Sequence, residues 1–458
     1  MKSRAYSENA PVILTIAGSD SSGGAGIQAD LKTMLALGCY GCSVITAVTA
    51  QNTFGVDQVR VLKNDIFRAQ LEAVLNDLEV DAIKIGMLGS KEIVGNLLNV
   101  LKNEKTLPPL ILDPVIYSKT HAKLLEDDAI GPMKNGLFPL SYLITPNIDE
   151  ALILTKRSRK PCDVEGVKEL ARELKAYGAR YVLITGGHLE GKKAIDVLFD
   201  GYEYIVFESK RIDTLNTHGT GCTLSSAIAS HLALGDSVVD SIARAKRFIE
   251  IGLKSTIRIG KGTNPVNHLA YLNRELIKYD ILERLKKCYR LFESMKLAVL
   301  IPEVMSNLVE ALPYAQGVDD VAGFPGRIVK VKNKIHTAEG PEFGGSSHLA
   351  RFILAIMCFF PGVRSVMNIA YSSRVVEICK DLGFDVGDIE RPEVPREIEQ
   401  KEGYSLTYIA HQICDQRARC PDVIYDTGDT GKEAMMRILG KDANDVSKKV
   451  GAILAKYD

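Results

Sequence analysis

The sequence has no excess of charge of either sign. Its 57 lysines and arginines balance 57 aspartates and glutamates over 458 residues. A chain without a net field does not attract polyanions, which argues against nucleic acid or an acidic membrane as a general partner. No basic patch or helix-turn-helix pattern is evident either. Any phosphate group must therefore be bound by local features.

Cysteines are few, odd in number and unevenly spaced. The chain has nine, a pattern that argues against a disulfide framework and favours a reducing compartment. Cys39 and Cys42 form a lone CxxC without a second pair or a nearby histidine. Ordinary packing is therefore a better interpretation of this pair than metal binding or redox chemistry.

Long apolar runs are also missing. The best candidate, residues 349–363, is interrupted and shorter than the roughly 20 residues that a membrane span needs. The apolar run after Pro11 stops at Gly18, which predicts a buried strand and not a signal peptide. We therefore expect a cytoplasmic protein, and whether it is a homo-oligomer stays open.

Short apolar runs alternate with segments of helical period from residue 12 to about 257. The runs are residues 12–17, 43–50, 82–87, 110–115, 142–145 and 181–185, and the helical segments include 26–38, 66–78, 91–103 and 166–179. Alternating strands and helices require parallel pairing through right-handed crossovers. The pattern predicts an α/β fold, a three-layer sandwich whose ligands bind beyond the carboxyl ends of the strands.

The chain is long enough for two or three domains. Residues 194–212 read as a hairpin turning at Asp200, and a cluster of Gly, Asn and Pro at 260–269 ends the alternation. We predict a first domain at 1–269, a helical linker at 270–290 and a second, smaller α/β domain at 291–458. The second domain should contain an apolar helix at 348–360 and a strand at 365–372.

One glycine-rich loop stands directly before a helix and contains a cysteine. In Gly219-Thr220-Gly221-Cys222, the glycines let the backbone approach a ligand, and the helix start presents free amides to an anion. A thiol in a first helical turn is expected to have a lowered pKa and to accept a proton more readily. The alternative is a tight turn in which the glycines serve the backbone alone.

A second glycine cluster, residues 18–26, follows the first strand but is neither a GxGxxG dinucleotide fingerprint nor a P-loop. Asp30 and Gln51 lie near the ends of the first two strands, where a parallel sheet presents its ligands. We regard both as substrate-binding candidates. Each alone is also compatible with a surface or capping role.

Two carboxylates follow later strands. Asp113 ends the fourth and Glu150 follows the fifth, so both could hold magnesium that bridges nucleotide phosphates. For Glu150 the alternative is capping of the next helix. After the sixth strand, Thr185, Gly186 and Gly187 are small enough to pass close to a nucleotide.

The C-terminal half has a separate set of candidates. Arg327 follows Gly-Phe-Pro-Gly, and Gly344, Gly345, Ser346 and Ser347 lead into the apolar helix at His348. The loop amides could bind a phosphate and the arginine could clamp a diphosphate, although isolated arginines and histidines are usually solvated. The run Asp426–Glu433 resembles a Walker A loop but has the wrong glycine spacing and Glu433 in place of serine or threonine, so no ATP site is expected there.

The first half resembles the hydroxymethylpyrimidine/phosphomethylpyrimidine kinases of the ribokinase superfamily. The motifs that show this are AGSDSSGGAGIQADLKT, TAVTAQNT, KIGML, LDPV, TPNIDEA, ITGGH and GTGCT. The resemblance implies a ribokinase-like fold that phosphorylates 4-amino-5-hydroxymethyl-2-methylpyrimidine and then its monophosphate with ATP and Mg²⁺. It also implies that Asp30 and Gln51 bind the aminopyrimidine, that Met87 packs near the ring and that Cys222 is the base. The amides of Gly219, Thr220 and Gly221 would stabilise the transferring phosphoryl group.

One run departs from that family. After LDPV the chain reads Ile116-Tyr117-Ser118-Lys119-Thr120-His121. The family usually has a small residue, methionine or alanine and then a lysine or threonine near a Ser-Gly pair. We expect this run to be part of the active-site lid. Pyridoxal kinases share the fold and in some members the cysteine, so pyridoxal kinase activity is an alternative. Asp30 and Gln51 argue for the pyrimidine.

The second half resembles the thiamine-phosphate synthase domain that is fused to this kinase, which is unrelated to the TIM-barrel synthase. The motifs are GFPGR, EGPEFGGSSHLAR, NIAYS and the DxGxxGKE run at 426–433. The resemblance implies that Arg327 and His348 are the catalytic pair that joins the pyrimidine diphosphate to thiazole phosphate and releases diphosphate. The alternative is a domain that senses thiamine phosphate without chemistry.

Overall fold

The computed structural model describes residues 10–104, 106–186, 193–255, 257–389, 410, 413, 417–428 and 433–457. The chain divides into two compact units, Met1–Leu272 and Asn273–Asp458. No helix in the described ranges is both long and apolar enough to cross a membrane.

The first unit is built on one sheet with helices on both faces. Its strands are β1 (Val12–Asp20), β2 (Tyr40–Gln51), β3 (Val56–Val61), β4 (Ala82–Ile85), β5 (Leu110–Leu112), β6 (Leu143–Ile144), β7 (Tyr181–Gly186), β8 (Lys193–Phe199) and β9 (Tyr204–Lys210). Its helices are α1 (Gly26–Ala36), α2 (Asn64–Leu75), α3 (Lys91–Leu101), α4 (Asp127–Pro132), α5 (Ile148–Thr155), α6 (Val164–Lys175), α7 (Thr220–Ala233) and α8 (Val238–Lys254).

The strand order is β3-β2-β1-β4-β5-β6-β7-β8-β9. From β2 to β7 all neighbours are parallel, and β3, β8 and β9 are antiparallel additions at the two edges. Successive strand residues point to opposite faces: Leu14 packs with the layer of α2, α3, α5 and α6, whereas Ile13 packs with α1, α7 and α8. This arrangement confirms the predicted three-layer α/β sandwich and the hairpin at 194–212.

Helix α9 (Leu269–Ser294) crosses the boundary between the units. Its residues Ile281, Leu285, Cys288 and Phe292 are buried in a hydrophobic core of the second unit. The segment expected to be a linker is helical, and most of it belongs structurally to the second unit.

The second unit has its own sheet in the order β14-β11-β10-β15-β18-β17-β16, antiparallel except for the pair β16 and β17. The strands of the unit are β10 (Leu308–Ala311), β11 (Val321–Gly323), β12 (Ile328–Val331), β13 (Lys334–Thr337), β14 (Glu342–Phe343), β15 (Ser365–Ala370), β16 (Val386–Ile389), β17 (Val423–Asp426) and β18 (Met435–Gly440). Strands β12 and β13 form a separate antiparallel pair outside the seven-stranded sheet. The helices are α10 (Ser347–Phe359), α11 (Ser373–Asp381) and α12 (Ala443–Tyr457). Helix α10 covers one face, and α9, α11 and α12 cover the other. The predicted smaller α/β domain is therefore present.

Candidate functional site

The two glycine-rich loops of the first unit are pressed against each other. Gly219 precedes α7 with φ +78°, and a Cβ on it would lie 1.9 Å from the carbonyl oxygen of Gly24. A Cβ on Gly24 would in turn lie 2.4 Å from Cδ2 of His218. Only glycine permits both this left-handed conformation and this approach. The first amides of α7 are thereby placed beside the carboxyl end of β1, where an anion can bind them.

Asp20, at the end of β1, holds the first of these loops in place. Its carboxylate accepts hydrogen bonds from the backbone N–H groups of Ser22, Gly24 and Ala25 and contacts Nε2 of His218 at 2.9 Å. Burial would raise the pKa of Asp20, but the hydrogen bonds from His218 and the loop lower it to about 2. Asp20 is therefore a fixed negative charge of the loop.

Gln51 lies at the end of β2, as expected, and belongs to the same network. Its side-chain amide nitrogen is 3.1 Å from Nε2 of His218, and its backbone carbonyl accepts from the Ser21 hydroxyl at 2.7 Å. His218 thus links Gln51 to Asp20 at the loop before α7. Met87 is close to this region, since a Cβ on Gly18 would lie 2.7 Å from its sulfur.

Asp30 lies inside the unit and is fully buried. Lys84 Nζ donates to both of its carboxylate oxygens, at 3.0 and 2.9 Å. The hydroxyls of Thr15 and Ser226 also donate to Asp30, at 2.6 and 2.7 Å. These contacts occupy the carboxylate with protein groups, so the structure places Asp30 in a buried ion pair and not at an exposed ligand-binding surface.

Cys222 stands in the first turn of α7, but its pKa is raised to about 12. Burial is the main cause, and the charges of Asp30 and Asp113 add to it. Lys84 and the N–H of Gly26 lower the pKa of Cys222, but their effect is smaller than the combined effect of burial and the two carboxylates. The expectation of a lowered pKa was wrong because it considered the helix terminus and not the burial of the thiol, to which two nearby carboxylates add.

Asp113 follows β5 and faces the start of α7. The Ser225 hydroxyl donates to its Oδ2 at 3.3 Å, and a Cβ on Gly221 would lie 3.6 Å from the same oxygen. Burial raises the pKa of Asp113 to about 6, against the opposing charge of Lys84. The carboxylate is therefore held in a poorly solvated position close to the first amides of α7.

Glu150 forms the capping box of α5. Its Oε2 accepts the N–H of Asn147 at 2.9 Å, and its own N–H donates to Asn147 Oδ1 at 2.9 Å. Burial and the charge of Asp113 raise the pKa of Glu150 to about 8. Two buried carboxylates, the charge of one of which raises the pKa of the other, form a donor set that suits a hard cation such as Mg²⁺. No group of three or more His, Cys, Asp or Glu suitable for a metal occurs among the described residues.

The nucleotide candidates occupy the neighbouring strand end. Thr185 pairs with Asn147 in an isolated parallel bridge, and the Gly186 N–H donates to Asp196 at 2.9 Å. Thr185 is thus beside the α5 cap that includes Glu150. Gly187 lies outside the described residues.

The lid run that departs from the family pattern contacts the loop before α7. Tyr117 pairs with Lys123, and between them Lys119 Nζ donates to the Thr217 carbonyl at 3.1 Å. Burial lowers the pKa of Lys119. The Lys119 amine therefore lies against the carbonyl two residues before Gly219.

Lys84 and His218 are site residues that we did not single out from the sequence. A signal for Lys84 was present, because it is the charged residue of a short apolar strand, AIKI, whose four residues are all buried. His218 had no comparable signal, since its partners Asp20 and Gln51 are distant in sequence.

The second unit also brings its two glycine-rich loops together. A Cβ on Gly345 would lie 2.5 Å from the carbonyl oxygen of Gly323, and one on Gly323 would lie 3.0 Å from Cβ of Ser346. Gly344 has φ +83° and donates its N–H to Val321 at 2.9 Å. The Gly344–Ser347 segment at the start of α10 is therefore seated on the loop that leads to Arg327.

Arg327 is exposed and has φ +68°, in the left-handed region that is uncommon for arginine. Its guanidinium donates to the Val304 carbonyl at 2.6 Å. His348 is the second residue of α10 and is also exposed. The side-chain amide of Asn307 donates to the Phe324 carbonyl at 2.8 Å and accepts from the Phe324 N–H at 3.0 Å. These two bonds anchor the loop before Arg327.

Both units match known families. Residues 20–267 match the phosphomethylpyrimidine kinase family, and residues 284–452 match the thiamine-phosphate synthase ThiN family. The bifunctional thiamine biosynthesis protein ThiDN of Methanocaldococcus jannaschii is 34% identical over 98% of this chain and 99% of its own length. The bifunctional protein ThiED of Geobacter sulfurreducens is 48% identical over 56% of this chain, which spans about half (52%) of that relative.

Solved structures also resemble the first unit. The pyridoxal kinase of Bacillus subtilis, in an ADP complex, is 39% identical with a TM-score of 0.53 and covers 57% of this chain and 98% of its own. The pyridoxal kinase of Staphylococcus aureus with AMP-PCP and pyridoxal is 33% identical, also with a TM-score of 0.53, and covers 57% and 94%. Together with the two family matches, these findings show that the chain belongs to the bifunctional thiamine biosynthesis proteins in which a phosphomethylpyrimidine kinase domain precedes a ThiN-type thiamine-phosphate synthase domain.

Proposed function

We propose that the first unit phosphorylates 4-amino-5-hydroxymethyl-2-methylpyrimidine and then its monophosphate, using ATP and Mg²⁺. The second unit joins the resulting diphosphate to thiazole phosphate and forms thiamine phosphate. The kinase assignment rests on the close packing of Gly219 against the Gly24 carbonyl. This packing places Cys222, in the first turn of α7, near the buried ion pair of Lys84 and Asp30. ATP use and free thiols at the eight cysteines described support a cytoplasmic location.

In the kinase, Gln51 is suited to bind the aminopyrimidine because His218 and Asp20 position its amide. Met87, beside Gly18, is suited to pack against the ring. The amides of Gly219, Thr220 and Gly221 would hold the transferring phosphoryl oxygens, and Thr185 and Gly186 lie where the nucleotide would pass. Phosphoryl transfer depends mostly on such positioning and electrostatic stabilisation. Asp30, whose carboxylate is occupied by protein donors, would fix Lys84 near Cys222 and not bind the ring.

Cys222 would take the proton of the substrate alcohol. With its pKa near 12 the resting thiol is protonated, so the thiolate must be favoured when substrates bind. Asp113 is one of the two carboxylates that raise this pKa, and neutralising its charge would lower it. Lys84 remains as the buried cation that favours the thiolate.

Asp113 and Glu150 would hold Mg²⁺, directly or through water. The cation would neutralise phosphate charge and the charge of the two carboxylates. Burial is the main cause of their raised pKa values, about 6 for Asp113 and about 8 for Glu150, and the charge of Asp113 adds to the shift of Glu150. A bound cation would favour the ionised form of both.

In the synthase, the bond between the pyrimidine methylene carbon and the diphosphate oxygen breaks, and the thiazole nitrogen forms a bond to that carbon. Arg327 would stabilise the departing diphosphate, and His348 would orient or protonate it. The amides of Gly344, Gly345, Ser346 and Ser347, at the start of α10, would hold a phosphate. The contact of this segment with Gly323 and Pro325 supports a single site.

Pyridoxal is a second candidate substrate for the kinase, because two similar solved structures are pyridoxal kinases. We expect the purified chain to turn over hydroxymethylpyrimidine with the higher kcat/KM, since the amide of Gln51 can pair with an aminopyrimidine edge. Assaying both alcohols with ATP under identical conditions measures this. Preference for pyridoxal would reverse the assignment.

Replacing Cys222 by alanine should lower the kinase kcat roughly 10²-fold or more, because a general base contributes rate of this order. Steady-state kinetics measures the effect, and ATP affinity should stay unchanged. Cys162→Ala, which removes an exposed thiol of the same unit, is the control. An unaltered kcat in Cys222→Ala would leave the thiol with a packing role.

Glu150→Gln should change how stability depends on pH. Because the pKa of Glu150 is about 8 when folded and 4.5 ordinarily, the folded state binds more protons between these values, and the free energy of unfolding falls as pH rises through that window. The variant should lose less stability from pH 5 to pH 8. Added magnesium chloride should stabilise the original chain more at pH 8 than at pH 5.

Scanning calorimetry of the first unit's transition in the full chain tests this, with Glu79→Gln at an exposed carboxylate as the control. Equal pH profiles for Glu150→Gln and the original chain would contradict the assigned electrostatics. Unchanged stabilisation by magnesium in Glu150→Gln would remove that residue from the metal site.

Arg327→Ala should abolish thiamine phosphate formation while ATP turnover continues, since the two activities are assigned to separate compact units. Incubating the full chain with both phosphorylated precursors and quantifying product measures this. Arg374→Ala is a matched control because that arginine also donates to a backbone carbonyl, of Tyr457 at 2.6 Å. If the original chain binds thiamine phosphate but forms none, the second unit is a sensor.

A further inference from the structure

Glu433 ends the run that resembles a Walker A loop and that the proposed reactions do not use. Its side chain accepts two backbone hydrogen bonds from a distant loop: Oε1 from the N–H of Glu303 and Oε2 from the N–H of Val304, each at 2.9 Å. A carboxylate that binds two consecutive amides fixes their orientation, because hydrogen bonds to a charged acceptor are about twice as strong as neutral ones. The glutamate thus has a role that serine or threonine could not fill.

Val304 connects Glu433 to Arg327. The N–H of Val304 donates to Glu433, and its carbonyl accepts from the Arg327 guanidinium at 2.6 Å. The backbone of Val304 therefore links a negative side chain to a positive one, because its N–H binds Glu433 and its carbonyl binds Arg327. Movement of Val304 would move the acceptor that orients the guanidinium.

The other end of the same loop is already fixed. Asn368 donates to the Met305 carbonyl at 2.9 Å, and Ser306 pairs with Ile328 through two backbone hydrogen bonds, at 3.0 and 2.7 Å. Met305 itself has φ +68°. Residues 303 and 304 are the two central residues of a turn closed by the Met305 N–H and the Pro302 carbonyl at 3.0 Å. The bonds to Glu433 add the fixed orientation of their own N–H groups.

We propose that Glu433 is a positioning residue of the synthase, which orients Arg327 toward the diphosphate through the Val304 backbone. This proposal rests on the proposed role of Arg327. It predicts that weakening the Glu433 contacts lowers synthase activity, although Glu433 itself does not touch the substrate.

The deciding variant is Glu433→Gln, which keeps the size of the side chain and one acceptor oxygen but replaces the other by an amide that cannot accept. We expect synthase kcat/KM to fall about tenfold, with a larger fall in Glu433→Ala, since small misplacement of a catalytic group costs up to about 10²-fold. The affinity for inorganic pyrophosphate, measured by calorimetry on the full chain, should fall in parallel. Glu377→Gln, at an exposed glutamate of α11, is the control.

A structural role is separated from positioning by two further readouts. The second unit should still unfold in one cooperative urea transition, well above the assay conditions, in Glu433→Gln. In an Arg327→Ala background the Gln change should not weaken pyrophosphate binding further. Full synthase kcat/KM in Glu433→Gln overturns the inference, as does a loss of pyrophosphate affinity that persists without Arg327. If Arg327→Ala itself leaves the synthase active, the proposed function of Arg327 has failed instead.

Discussion

The buried ion pair of Lys84 and Asp30 is the interaction on which the first unit's site depends. Lys84 comes from β4 and Asp30 from α1, while Thr15 of β1 and Ser226 of α7 donate to the same carboxylate. Both charged side chains are fully buried, and removing one partner of such a pair typically costs about 3–5 kcal/mol because the other charge is left uncompensated. Four elements, among them the helix α7 that carries Cys222, are therefore joined at one point.

The electrostatics of this region follow from the same pair. Burial alone would lower the pKa of Lys84, but the charge of Asp30, with further contributions from Cys222 and Asp113, raises it above its ordinary value. Lys84 is therefore a permanent cation inside the unit. The carboxylates Asp113 and Glu150 and the thiol of Cys222 have raised pKa values in the same region. Such a concentration of perturbed groups beside a helix N-terminus is typical of a catalytic site.

The two units use a common device to place backbone amides. In each, a glycine at the start of a helix is seated on the carbonyl of a second glycine-rich loop: Gly219 on Gly24, and Gly345, two residues before α10, on Gly323. A side chain would separate the loops, so the close approach depends on glycine. The remaining side chains differ, with a thiol and carboxylates in one unit and an exposed arginine and histidine in the other.

Periodicity and motifs in the sequence determined the two domains, the parallel sheet with its antiparallel edge hairpin, and the loops at Gly219 and Gly345, since apolar spacing and glycine act locally. The edge strand β3, the placement of most of α9 in the second core, the burial of Asp30 and the raised pKa of Cys222 were decided by tertiary structure. Each depends on which groups distant in sequence come into contact, as the Lys84 side chain contacts the Asp30 carboxylate. The bond between the Glu433 carboxylate and the Val304 N–H is of the same kind. Burial and charge act through space, so spacing along the chain does not encode them directly.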